Sequence, residues 1–210
     1  MKQGQTIGCV GVFIAVLLVT QASVYAAHFI AGGGRYSPDN MPQVSVRFQF
    51  LGVGVVPVSG PVVPIIETHI QFTIVHPSGS MPFRLFTSGA VIDPFTVVRV
   101  PPTSPPPPDR HIITITGNML SKLVWGVEPD EQHLTEIVDF TVEAMDEKFP
   151  GAVSDSLTLT LRYNATQPTA SRLSETLGAE LVPCIDDICT LTLTGTMIEG
   201  EIESHTAGDE

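Results

Sequence analysis

The sequence predicts an all-β protein, an antiparallel β-sandwich of Ig-like or jelly-roll-like type with one short helix near residues 170–181. Three observations predict it. Apolar and polar residues alternate with period two in six separate segments, which is the pattern of half-buried strands. Turn-forming clusters such as Ser37-Pro38-Asp39-Asn40, His76-Pro77-Ser78-Gly79, Glu128-Pro129-Asp130 and Phe149-Pro150-Gly151 separate those segments. Finally, Val, Ile and Thr are concentrated in the strands, where side chains branched at Cβ sit well on a pleated surface, and no long helical pattern comes between them.

The first 26 residues form a leader. Lys2 gives a positive start, Val10 to Thr20 is apolar or small, and Val24-Tyr25-Ala26 presents small residues at a cleavage site. A membrane anchor is the competing reading, but a span needs about 20 apolar residues, and Gln21 and Ser23 interrupt this one. Cleavage after Ala26 leaves residues 27–210 as one domain, secreted or periplasmic, with no stable membrane span. The leader holds one Lys and no acid, so its loss moves the net charge from -12 to about -13. Nucleic acid is thereby an unfavourable partner, since phosphate binding relies on clustered Lys and Arg. No Lys or Arg follows Arg172, whereas nine acidic residues do, which reads as a solvated surface or as a cation-attracting patch.

Strand assignments follow in chain order. Val44, Val46, Phe48 and Phe50 alternate with Gln43, Ser45, Arg47 and Gln49, and the pattern returns at Ile70 to Ile74. Pro101 to Pro108 then favours extended polyproline II, as a stiff connection or as a ligand for an aromatic groove. Strands resume at Ile112 to Thr116, Ile137 to Val142, Leu157 to Leu161 and Leu191 to Thr194. The window Ala170 to Leu181 is a short helix or a loop. Cys184 and Cys189 flank Ile185-Asp186-Asp187-Ile188, and in an exported chain they predict a disulfide stapling a tight hairpin. A thiolate metal site would want more Cys or His ligands than this neighbourhood offers.

Candidate chemistry is sparse. Asp146, Glu147 and Asp155 bracket a tight turn between two strands and are a candidate calcium site, because calcium takes six to eight oxygens that converging carboxylates can supply. The alternative is that Asp146 bonds its own turn backbone and Asp155 merely starts a strand. Six histidines show no His-x-x-x-His helix and no Gly-x-Ser-x-Gly elbow, so no enzyme is predicted. A cut after Ala27 would make His28 the amino terminus, whose amine and ring would chelate copper with a second histidine. Trp125 is the only tryptophan and reads as a core or rim residue, leaving little material for an aromatic carbohydrate platform.

His28-Phe29-Ile30-Ala31-Gly32-Gly33-Gly34 resembles the Gly-His-Val-Thr-Gly-Gly-Gly opening of the secreted bacterial β-modules called post-COAP-1. Asp139 to Gly151, followed by Asp155-Ser156-Leu157-Thr158-Leu159, is similar to that module's strand, Asp-x-x-x-Pro-Gly turn and Asp-led strand. Thr194 to Ile198 looks like its closing strand. Arg35-Tyr36 and Leu120-Ser121-Lys122 depart from its pattern. The resemblance implies an accessory β-module without a reaction of its own. Residues and resemblance together predict a non-catalytic adhesion, matrix or accessory module that binds a protein or a cell-surface component.

Overall fold

In the computed structural model, which describes residues 25–57, 63–76, 83–91, 95–100, 110–126, 129–147 and 155–206, the period-two segments become strands. They are β1 (Tyr25–Tyr36), β2 (Ser45–Pro57), β3 (Val63–His76), β4 (Phe83–Val91), β5 (Thr96–Val100), β6 (Arg110–Trp125), β7 (Gln132–Glu147), β8 (Ser156–Asn164), β9 (Cys184–Ile185) and β10 (Ile188–Thr206), with one helix among the described residues, α1 (Pro168–Leu177). Neighbouring strands pair in the order β1-β2-β3-β4-β6-β7-β8-β10. Strand β1 bonds β2 on one side and β10 on the other over nearly its whole length.

That double pairing overturns the predicted sandwich. The sheet closes on itself into an eight-stranded antiparallel barrel. Alternation is the same for a sandwich and a barrel, because both present one buried and one solvated face. What separates them is whether the first and last strands meet, and Ile30 and Ser204, register partners, lie far apart in the chain.

Eight strands enclose a space that side chains fill. Ile30, Phe50, Phe72, Ile113, Phe140, Val142, Leu159 and Leu193 all point inward and are buried. Tyr36 donates to the Leu193 carbonyl at 3.1 Å, and the Tyr163 and Ser121 hydroxyls lie 3.3 Å apart. Burial pushes both phenols up from their ordinary value. Apart from the exposed Ile137, Ile188 and Ile198, outward positions on β7, β8 and β10 are mostly polar, among them Asp139, Thr141, Glu143, Thr158, Thr160, Arg162, Thr190, Thr192 and Thr194. This is the reverse of a lipid-facing barrel, which is apolar outside and polar within. Among the described residues, no helix is long and apolar enough to cross a membrane.

Helix α1 closes one end of the barrel. Thr169, Ala170 and Leu173 are its buried face, and the Arg172 guanidinium lies 5.4 Å from the centre of the partly buried Trp125 ring. Pro168 opens the helix at the position where a missing N–H costs nothing, and Gly178, at φ 98°, stops it. The helix therefore begins two residues before the predicted window and ends four before its limit. The predicted disulfide joins Cys184 to Cys189 across the β9–β10 hairpin. Asp186 and Asp187 at its tip both take positive φ, 49° and 64°, as a two-residue hairpin turn demands. The Pro-rich segment 101–108 lies outside the described residues, as does the leader up to residue 24. Tyr25 and Ala26 pair with Pro57 and Val56, so the predicted cut removes the first two pairs of β1.

Candidate functional site

Strand β10 changes face partway along. Residues 189, 191, 193, 195 and 197 are buried, and then 198 to 201 are all exposed before Ile202 and Ser204 turn inward. The frame shifts at a bulge opposite the Arg35/Tyr36 step of β1, where Ile198 is left without a register partner, and Gly200, two residues on and opposite Gly34, sits at φ 97°. A Cβ at Gly200 would overlap the Gly33 carbonyl oxygen, and one at Gly34 would overlap the Glu199 carbonyl oxygen. A Cβ at Gly32 would strike the Phe50 ring, 2.5 Å from Cζ, an aromatic ring covering a glycine in the neighbouring strand. Two of the three consecutive glycines therefore admit close neighbours that the fold requires.

The bulge brings a polar cluster together near the other end of the barrel. Strand β8 begins at Ser156, opposite Met145 and Thr196, while β7 and β10 run on with no strand between them among the described residues. Two aspartates substitute for the missing strand. The Asp155 main-chain oxygen accepts the Met197 N–H at 2.8 Å, its Oδ2 accepts the Ile202 N–H at 2.8 Å, and its Oδ1 accepts the Glu147 N–H at 3.0 Å. Asp155 thus holds β10 on both sides of the bulge. Asp146 Oδ2 accepts the Ser204 N–H at 2.8 Å and its hydroxyl at 2.7 Å.

His111, the register partner of Asp146, completes the cluster with Nδ1 2.6 Å from Ser204 Oγ. The single hydroxyl proton goes to the Asp146 carboxylate, so Nδ1 is the donor to the hydroxyl oxygen. Nε2 is buried and has no hydrogen-bond partner among the described residues. Although Ser, His and Asp are all present, the serine stands between the other two. A nucleophile needs its proton directed to the base, whereas here it goes to the carboxylate. His111, Asp146 and Ser204 are at most 4% exposed, so the cluster as it stands braces strands and is closed to substrate.

The three predicted calcium ligands are therefore placed as follows. Asp146 and Asp155 converge on the same stretch of β10, each accepting backbone N–H groups, and Glu147 turns to Arg110, with Oε1 3.3 Å from Nε. Among the described residues, no group of three or more His, Cys, Asp and Glu side chains has an arrangement that holds a metal. The His28 side chain lies outside the description; its backbone is strand, paired with Gly54 and Thr206.

A feature not legible in the sequence lies on the outer surface. Two adjoining depressions, of about 590 and 490 Å³, share Gln49 and Leu51 and cross five strands. Register sets two transverse rows: Glu201, Gly33, Gln49, Gln71 and Ser88, then Glu203, Ala31, Leu51, His69 and Ala90. At β1, Gly33 and Ala31 put almost no side chain into the groove. Unlike its neighbours, Gly33 has room to spare, since the nearest atom to a Cβ there is the Phe48 carbonyl oxygen at 3.7 Å. A glycine within a strand is the sequence signal that was available, but only register shows which residues flank it. No protein family, curated protein or solved structure matches this chain.

Proposed function

We propose that this chain is an exported, non-catalytic interaction module that binds its partner on the outside of the barrel. The observation that carries the reading is the contrast between a filled interior and an outer groove crossing five strands. A small-molecule barrel keeps space inside for its ligand; here aromatic and aliphatic side chains occupy that space. A disulfide-stapled hairpin supports an oxidising compartment, and a Thr-rich outward face supports a water-facing one. The accessory role implied by the resemblance to post-COAP-1 modules is consistent with this reading and rests on the quoted residues alone.

Export and binding are tested separately. Mass measurement of the mature protein is expected to give an amino terminus at Ala27; a chain still carrying Met1 refutes export by cleavage, and a start at His28 reopens the copper reading. For binding, a photo-crosslinking side chain is placed at Gln71 in the groove and, separately, at Thr160, on the outer face of β8 outside it, and each variant is returned to the native extracytoplasmic fraction. Adducts at Gln71 and not at Thr160 are expected. Equal yields at both positions, or none, refute the reading.

A further inference from the structure

We infer that the outer groove docks an extended, Lys- or Arg-bearing segment of a partner protein, its main chain laid across Gly33 and its cation held by Glu201 and Glu203. The inference rests on the barrel being an interaction module and names the partner chemistry of that module.

Gly33 is the starting point. Glycine within a strand weakens it and marks a bulge, a bend or a close approach of backbone or ligand. Gly32 and Gly34 meet that description inside the fold, against Phe50 and against the bulge of β10, whereas among the described residues the nearest atom to a Cβ at Gly33 is the Phe48 carbonyl oxygen, at an ordinary contact distance of 3.7 Å. Its missing side chain opens the groove to an outside chain. Glu201 and Gln49 stand on either side as its register partners, on strands about 10 Å apart.

The walls set the chemistry. Gln49 and Gln71 are register partners on adjacent strands, and each exposed amide offers both a donor and an acceptor, the pair of functions a peptide main chain presents. Glu201 has no ion pair among the described residues, and the described partner of Glu203 is His205, at 4.0 Å. These carboxylates point outward on a chain of net charge -12, which attracts cations and repels anions. An oligosaccharide fits less well. Of the aromatic residues lining the groove, Phe48 and Phe50 are buried and face inward, which leaves the His69 imidazole in place of the broad Trp or Tyr faces that stack on a sugar.

The test is fluorescence anisotropy of a labelled alternating Lys-Ala octapeptide at low salt, with the Glu-Ala octapeptide and cellohexaose as competitors. The proteins compared are the full chain, Glu201→Gln/Glu203→Gln, Gly33→Tyr, and Asp139→Asn/Glu143→Gln, which removes the same charge from the outer face of β7. Binding of the Lys-Ala peptide is expected to weaken about tenfold in the first two variants and to stay within about twofold in the third. Equal weakening by the β7 pair overturns the inference, since net charge alone then explains the attraction. Binding that survives Gly33→Tyr, or no binding at all, also overturns it. Competition by cellohexaose that Gly33→Tyr abolishes replaces the partner class while leaving the interaction module standing.

Discussion

Removing the Asp155 carboxylate tests the idea that aspartates stand in for a missing strand. Its two oxygens accept the Glu147 and Ile202 N–H groups at 3.0 and 2.8 Å, both in part-buried positions. A hydrogen bond to a charged group contributes about 1.5–3 kcal/mol, and partial water access favours the low end. Asp155→Ala should therefore cost about 3 kcal/mol, which in a chain of this length is a fall in melting temperature of about 6–12 °C. Asp155→Asn should cost nearly as much, because its amide can accept from only one of the two N–H groups and must aim its own N–H at the other. The assay is urea unfolding of both variants with calcium and with EDTA, alongside hydrogen exchange at Ile202 and Glu147. Those two amides are expected to lose protection while Leu159 keeps it. A loss of stability below about 1 kcal/mol in EDTA, set against the charged-hydrogen-bond range, would refute the bracing role. A loss seen only when calcium is present would restore the calcium site.

Three further outcomes follow from the same geometry. Gly200→Ala should lower stability by about 3 kcal/mol or more, from a strained positive φ and a steric overlap, whereas Gly33→Ala should change it by under about 1 kcal/mol; equal effects in denaturant melts would contradict the bulge. Because burial disfavours the phenolates of Tyr36 and Tyr163, their pKa values lie above the ordinary 10.0, and the unfolded chain releases these protons first. Stability should be complete below that pH and fall above it by about 1.4 kcal/mol per pH unit per tyrosine, and tyrosinate absorbance should rise only as the barrel unfolds. Asp187→Gly should raise the melting temperature slightly, by relieving a positive φ, and Cys184→Ser/Cys189→Ser should cost about 2 kcal/mol, the loop-closure value for so short a ring; reversed signs in calorimetry would refute the hairpin account.

Much of the local structure was legible in the residues. Alternation in Val44 to Phe50 and Leu157 to Leu161 names strands because side-chain direction in a strand reverses at every step. Cysteine spacing around Ile185 to Ile188 names a stapled hairpin for an equally local reason. Asp146 and Asp155 also stood out as carboxylates flanking a turn, and the structure brings both onto β10. Their partners could not be read, because Ile202 and Ser204 belong to a strand beyond α1. A uniform period two carried on from Leu191 and Leu193 would place both of these residues outside, and only the bulge at Ile198 returns them to the interior.

The sequence by itself determined that this chain is β-rich, which faces of its strands are apolar, and where its hairpin is tied. Tertiary structure decided that the sheet closes, that Asp146, Ser204 and His111 meet, and that Gly33 lies in a groove between Glu201 and Gln49. The reason is range. Alternation and turn chemistry act over a few residues, whereas closure and register depend on the pairing of β1 with β10 at the far end of the chain, where a shift of one residue turns every side chain to the other face.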